Sequence, residues 1–159
     1  MLQRIQTIFL LFVALFMALS FFFPLWVMKG QEGELLYELF SLKLNSLNVE
    51  DGSFQEVYFP FSFVASLAAA SVTVAIIEIS KFNNRLLQMK LGALNALLMA
   101  GTMGLGVYFA TQLIATQSAA GGTYGVGLFL PAAALICNMI ANRFIRKDER
   151  LVRSVDRIR

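Results

Sequence analysis

The sequence predicts an all-α membrane protein. The expected fold is a four-transmembrane-helix bundle with both termini cytoplasmic, a small extracytoplasmic β-hairpin cap between helices 1 and 2, and a C-terminal basic amphipathic helix. Three observations predict it. Of 159 residues, 58% are hydrophobic and only 14% charged, against about 45–50% and about 25% in soluble domains. The 13 basic and 10 acidic residues are segregated: outside 29–57 and 143–159 only Arg4, Glu78, Lys81, Arg85 and Lys90 remain. Finally, four stretches hold roughly the 20 apolar residues needed to cross the ~30 Å hydrocarbon layer.

Such a chain cannot coat a globular surface with charge, which excludes a soluble enzyme. It has no histidine, the commonest general base and metal ligand. Its single cysteine, Cys137, can form neither an intramolecular disulfide nor a CxxC pair. No P-loop, zinc motif, nucleophile elbow or EF-hand is present. No catalytic residue, cofactor or metal is therefore expected. The net charge of +3 reads as membrane topology rather than as an affinity for nucleic acid.

The first span, 5–28, follows Arg4 and continues through Phe21-Phe22-Phe23-Pro24-Leu25-Trp26. That is too long for a signal-peptide core, so it is expected to stay as an anchor. Segment 29–57 carries two basic residues and six acids. Phe40, Leu42 and Leu44 alternate with Ser41, Lys43 and Asn45, the period-2 pattern of a half-buried strand. Asp51-Gly52 is a favoured hairpin turn, and 54–58 would be the return strand. The second span, 58–79, opens with Pro60, and a loop at 80–90 precedes the third span, 91–114. A short Gly- and Ser-rich loop (118–122) makes the fourth span, 124–141, an antiparallel neighbour of the third. Pro131 falls within it.

The tail, 142–159, places Arg143, Arg146, Arg150, Arg153 and Arg157 opposite an arc of Phe144, Ile145, Leu151, Val152, Val155 and Ile158. This face suits the anionic inner leaflet or a partner helix. Asp148 falls inside the apolar arc, and a helix break with Asp148 as N-cap would resolve the conflict. Arg4, the 80–90 loop and the tail together hold eleven Lys and Arg, against two in 29–57. The positive-inside rule then puts both termini in the cytoplasm. Trp26, Phe21–Phe23, Tyr58, Phe59, Phe61 and Tyr124 are expected as rings at the outer membrane interface.

Within the membrane, Gly92, Ala96, Ala100 and Gly104 recur at i+4 and would let a neighbouring backbone approach closely. Glu78 is the one acid in a span, at a cost of at least ~2.5–3.5 kcal/mol near the bilayer centre. Lys81, at i+3, suggests an interfacial ion pair instead. Glu78, Asn95 and Asn138 are the candidate intramembrane polar site. Asn95, Thr102, Asn138 and Asn142 are expected to hydrogen-bond between helices rather than line a substrate path.

The start Met1-Leu-Gln-Arg-Ile-Gln-Thr, the stretch from Asn84-Arg85-Leu86-Leu87-Gln88 to Asn95, and the end from Phe144 to Arg157 resemble an uncharacterised integral membrane family, domain of unknown function 4293. The resemblance spans the chain. It implies a four-helix bacterial inner-membrane protein, typical of the Bacteroidota, and supplies no catalytic or binding residues. The expected function is a non-catalytic accessory or scaffold subunit of an inner-membrane complex, in contact with the lipid bilayer and with other subunits or itself. The alternative is a small oligomeric transporter or channel-like protein using polar residues of the third and fourth spans.

Overall fold

The computed structural model describes residues 2–30, 35–48, 53–82, 84–116 and 122–156. Asp51-Gly52, residues 118–121 and Arg157 lie outside the described residues, as do the side chains of Arg4 and Arg153. The elements run α1 (Leu2–Leu19), β1 (Trp26–Lys29), β2 (Leu35–Leu39), β3 (Leu44–Asn48), β4 (Ser53–Val57), α2 (Ser62–Ser80), α3 (Arg85–Thr116), β5 (Thr123–Tyr124) and α4 (Val126–Asp156).

Each helix turns one stripe with 3–4 spacing inward. The stripes are Gln6, Leu10, Val13 and Met17 on α1, continued by Ser20 just past its end, and Ala68, Ser71, Ala75 and Glu78 on α2. On α3 they are Gln88, Gly92, Asn95, Met99, Thr102 and Gly106, and on α4 Pro131, Ala134, Asn138, Ala141 and Ile145. α1 packs on α2 and α4, and α3 packs on the same two. The outward faces stay apolar, with Ile8, Leu11, Ile76, Leu97, Phe129 and Ile136 all exposed. Three helices, α2, α3 and α4, are long and apolar enough to cross a membrane, whereas α1 contributes a shorter apolar stretch, Ile5–Leu19.

The expectation of an all-α fold with a small hairpin cap is overturned. The chain also forms a five-stranded antiparallel sheet, in the order β4-β3-β2-β1-β5. Only the β3–β4 pair matches the anticipated hairpin. The apolar run assigned to the first span divides: α1 ends at Leu19, and Trp26–Lys29 is a strand paired with both β2 and β5. The strand expected across 38–45 divides as well, by a turn in which the Phe40 N–H donates to the Lys43 carbonyl at 2.9 Å.

The register explains why these segments pair. Tyr124, Trp26, Leu39, Leu44 and Val57 stand opposite one another in a single row across all five strands. Its three central members are buried, in a core with Phe61, Val64, Ala110 and Leu128 from the helix ends. Trp26 is 1% exposed, so it is core and not an interfacial anchor; Phe61 is buried with it. Gly122 lies so close that a Cβ there would overlap the indole. The sheet is bonded to the helices through backbone. The Gly127 and Gly125 N–H groups donate to the Pro24 and Leu25 carbonyls at 3.0 and 2.9 Å. A Cβ on Gly127 would lie 2.3 Å from the Phe23 carbonyl oxygen, so only glycine fits this approach.

At the other end, the expected 80–90 loop is mostly helix. α3 starts at Arg85, and the Asn84 side-chain oxygen caps it by accepting the Leu87 N–H at 3.1 Å. α4 does not break at Asp148. It runs unbroken from Val126 to Asp156, and Asp148 accepts from Arg85 of α3 at 3.0 Å. The acid sits in the apolar arc because that arc faces Arg85. At 1.5 Å per residue α3 is about 48 Å long, more than a ~30 Å hydrocarbon layer requires. Its surplus packs against the sheet at one end and carries the Arg85 pair at the other.

Candidate functional site: a buried polar axis

The inward stripes become polar toward the ends of the helices remote from the sheet. Ser71 donates to the Asn95 side-chain oxygen at 2.5 Å, tying α2 to α3. The Asn138 amide donates to the Gly92 carbonyl at 2.8 Å, tying α4 to α3. Nearer the end, the Gln88 amide donates to the Glu78 backbone carbonyl at 2.9 Å. Glu78, Asn95, Asn138 and Thr102 are all fully buried, and Thr102 turns back onto its own helix to donate to the Leu98 carbonyl at 2.9 Å. The three residues singled out as an intramembrane polar site therefore do face one interior.

Glu78 departs from the expected interfacial ion pair with Lys81. It is 0% exposed, whereas Lys81 is exposed beyond the helix end. Neither Glu78 carboxylate oxygen has a hydrogen-bond partner among the described residues. The i+3 spacing permitted a pair, but the α2 stripe that carries Ala68, Ser71 and Ala75 inward carries Glu78 with it. The side-chain oxygens of Gln6, Gln88, Asn138 and Asn142 are likewise buried and unpartnered, as is the Asn95 amide nitrogen. Gln6 and Gln88 were not singled out from sequence. The available signal was positional: Gln6 extends the stripe Leu10–Val13–Met17 by one turn, and Gln88 lies four residues before Gly92.

The small-residue stripe of α3 is divided. Gly92 is buried where a Cβ would come within 3 Å of the Asn142 amide, Ala96 is half-buried, and Ala100 and Gly104 are exposed with nothing near the latter. Arg143, Arg146 and Arg150 are exposed along the last turns of α4. Their neighbourhood includes a groove of about 450 Å³ lined by Asn84, Arg85, Leu86, Glu149 and Val152.

On the sheet, Lys43 and Glu56 form an ion pair, and the Tyr58 hydroxyl donates to Glu56 at 2.7 Å. The Lys43 ammonium, then the Tyr58 hydroxyl, hold the Glu56 carboxyl below the usual carboxylate range. The bond to Glu56 pushes Lys43 and Tyr58 up. Among the described residues the fourth strand, to which Glu56 belongs, is an edge of the sheet with all five residues exposed.

Among the described residues no group of three or more His, Cys, Asp or Glu side chains could hold a metal ion. No curated protein matches the chain. The family model described as Domain of unknown function (DUF4293) matches residues 2–158. With the match running essentially end to end, through the α1 stripe, the sheet and the Arg85–Asp148 pair alike, the chain belongs to the DUF4293 family.

Proposed function

We propose that this protein is a non-catalytic accessory or scaffold subunit of a bacterial inner-membrane complex, crossing the membrane four times with both termini cytoplasmic. Among the described residues nine Lys and Arg belong to the sheet-remote end and two, Lys29 and Lys43, to the sheet end, which supports a cytoplasmic placement of the former and an external sheet. The shorter apolar stretch of α1, Ile5–Leu19, would serve as a span with local thinning of the bilayer.

The single observation that carries the subunit role is the exposed β4 edge. Edge strands are normally shortened, charged or covered. Here Phe54 is exposed on β4, and the chain continues into exposed Tyr58, Phe59 and Phe63. A neighbouring subunit could add a strand to this edge and cover the rings. The exposed Arg143, Arg146 and Arg150 supply a second contact, to anionic lipid or to the same neighbour.

The test is a photo-crosslinker at position 54 in native membranes, followed by mass spectrometry. One recurrent membrane-protein partner is expected, lost when Val57 is replaced by Pro. Crosslinks confined to second copies of this chain, with purification as a homo-oligomer, would defeat the subunit reading. That outcome favours the second reading, a small oligomeric transporter, for which the buried polar axis speaks.

A further inference from the structure

We propose that the sheet-remote end of the polar axis binds one sodium-sized monovalent cation, held by the Glu78 carboxylate and the side-chain oxygens of Gln88, Gln6 and Asn142. The site draws on all four helices, one ligand from each, and is independent of the docking role proposed for the sheet edge.

The first argument is the sign of what is unsatisfied. The buried side-chain atoms without partners on these four residues are five oxygens: both of Glu78 and one each of Gln6, Gln88 and Asn142. Buried polar groups are almost always paired, and a buried carboxylate without a donor or cation is expensive. A cluster of acceptors only is complementary to a positive charge. At Gln88 the orientation is decided by the structure, because its nitrogen is used in donating to the Glu78 backbone carbonyl. Its oxygen is thereby the free end.

The second argument is placement. Glu78 and Gln88 touch through that bond, and Asn142 lies against Gly92, one turn along α3 from Gln88. Gln6 is 2% exposed on the inward stripe of α1, one turn before Phe9, whose ring stacks on Phe144 of α4. Of the charged groups nearby, Lys81 and Lys90 are exposed, and Arg85 gives Nη2 to Asp148 at 3.0 Å while its Nη1 is buried without a partner among the described residues.

The third argument is ligand chemistry. Carboxylate and amide oxygens suit hard cations, and no thiol or imidazole is present among these four to select a transition metal. One carboxylate balances one positive charge, whereas divalent sites generally gather more acids.

The full-length protein in detergent provides the test, with thermal unfolding and radioactive-sodium binding measured as sodium replaces choline at constant ionic strength. Sodium is expected to raise the unfolding midpoint saturably, with one ion bound per chain. The Glu78→Gln variant should abolish both responses. Gln6→Leu, which continues the apolar stripe of α1, should raise the half-saturating sodium concentration about tenfold. A midpoint unmoved by sodium, an equal response to calcium, or a Gln6→Leu variant that binds sodium as the parent does would each overturn the proposal. If Glu78→Gln does not fold, the Gln6→Leu comparison alone decides. Any of these failures leaves the crosslinking result at position 54 untouched.

Discussion

Ser41 shows how much of the architecture rests on single side chains. Its hydroxyl donates to the Ser20 carbonyl at the end of α1 at 2.9 Å, while its own carbonyl accepts the Ala65 N–H from the first turn of α2 at 3.0 Å. Both are helix-end groups that intrahelical bonding leaves unsatisfied. One buried residue in a sheet turn thus joins two helices. Ser41→Ala should lower unfolding stability by about 1–2 kcal/mol, since the Ser20 carbonyl loses a buried partner. Chemical denaturation in detergent micelles measures this, and an unchanged midpoint would remove the role. Nothing in the sequence marks Ser41, which occupies a polar position in an alternating stretch. Glu78 is the converse. The sequence exposes it as the one acid in a span, but whether it turns toward Lys81 or inward depends on which face of α2 the other helices cover.

At the scale of elements, the sheet is where sequence patterning and structure diverge most. Strands of two to five residues are too short for period 2 to register, and β1 is so apolar that it reads as the end of a membrane span. What unites them is a row of residues contributed by five segments, visible only once the strands are paired. The β3–β4 pairing was legible only in part: Asp51-Gly52 is a turn signal in the sequence, but the alternation over 38–45 straddles the turn between β2 and β3. It also carries a pH dependence. The Glu56 carboxyl lies below its ordinary 4.5, so its contribution is present above that value and is lost as pH falls through the lowered one. The Lys43 ammonium lies above 10.5, so its contribution holds below that value and fades as pH rises past the raised one. The pair accordingly supports the hairpin between these limits, modestly and with screening by salt, because both side chains are partly exposed. Hydrogen exchange corrected for intrinsic rates should show β3–β4 amides losing protection as acid titrates Glu56 through its lowered value, while those of α2 hold. Equal protection on either side of that titration would contradict it.

At the scale of the whole molecule, the loop order places the sheet at one end and the basic segments at the other. With Cys137 replaced by Ala, a cysteine at position 54 should react with a membrane-impermeant maleimide in intact cells. One at position 150 should react only after permeabilisation. Labelling of both, or the reverse pattern, would contradict the proposed orientation. Composition and charge segregation were enough to identify a membrane-capable chain and three of its long helices, because burial in lipid demands a run of apolar residues that no other environment requires. The inward stripes were also partly written in 3–4 spacing. Only the tertiary structure decided that Trp26 belongs to a core, that Asp148 belongs to Arg85, and that Gln6, Glu78, Gln88 and Asn142 come from four helices to one interior. Each depends on which distant segments come together, and local periodicity carries no information about that.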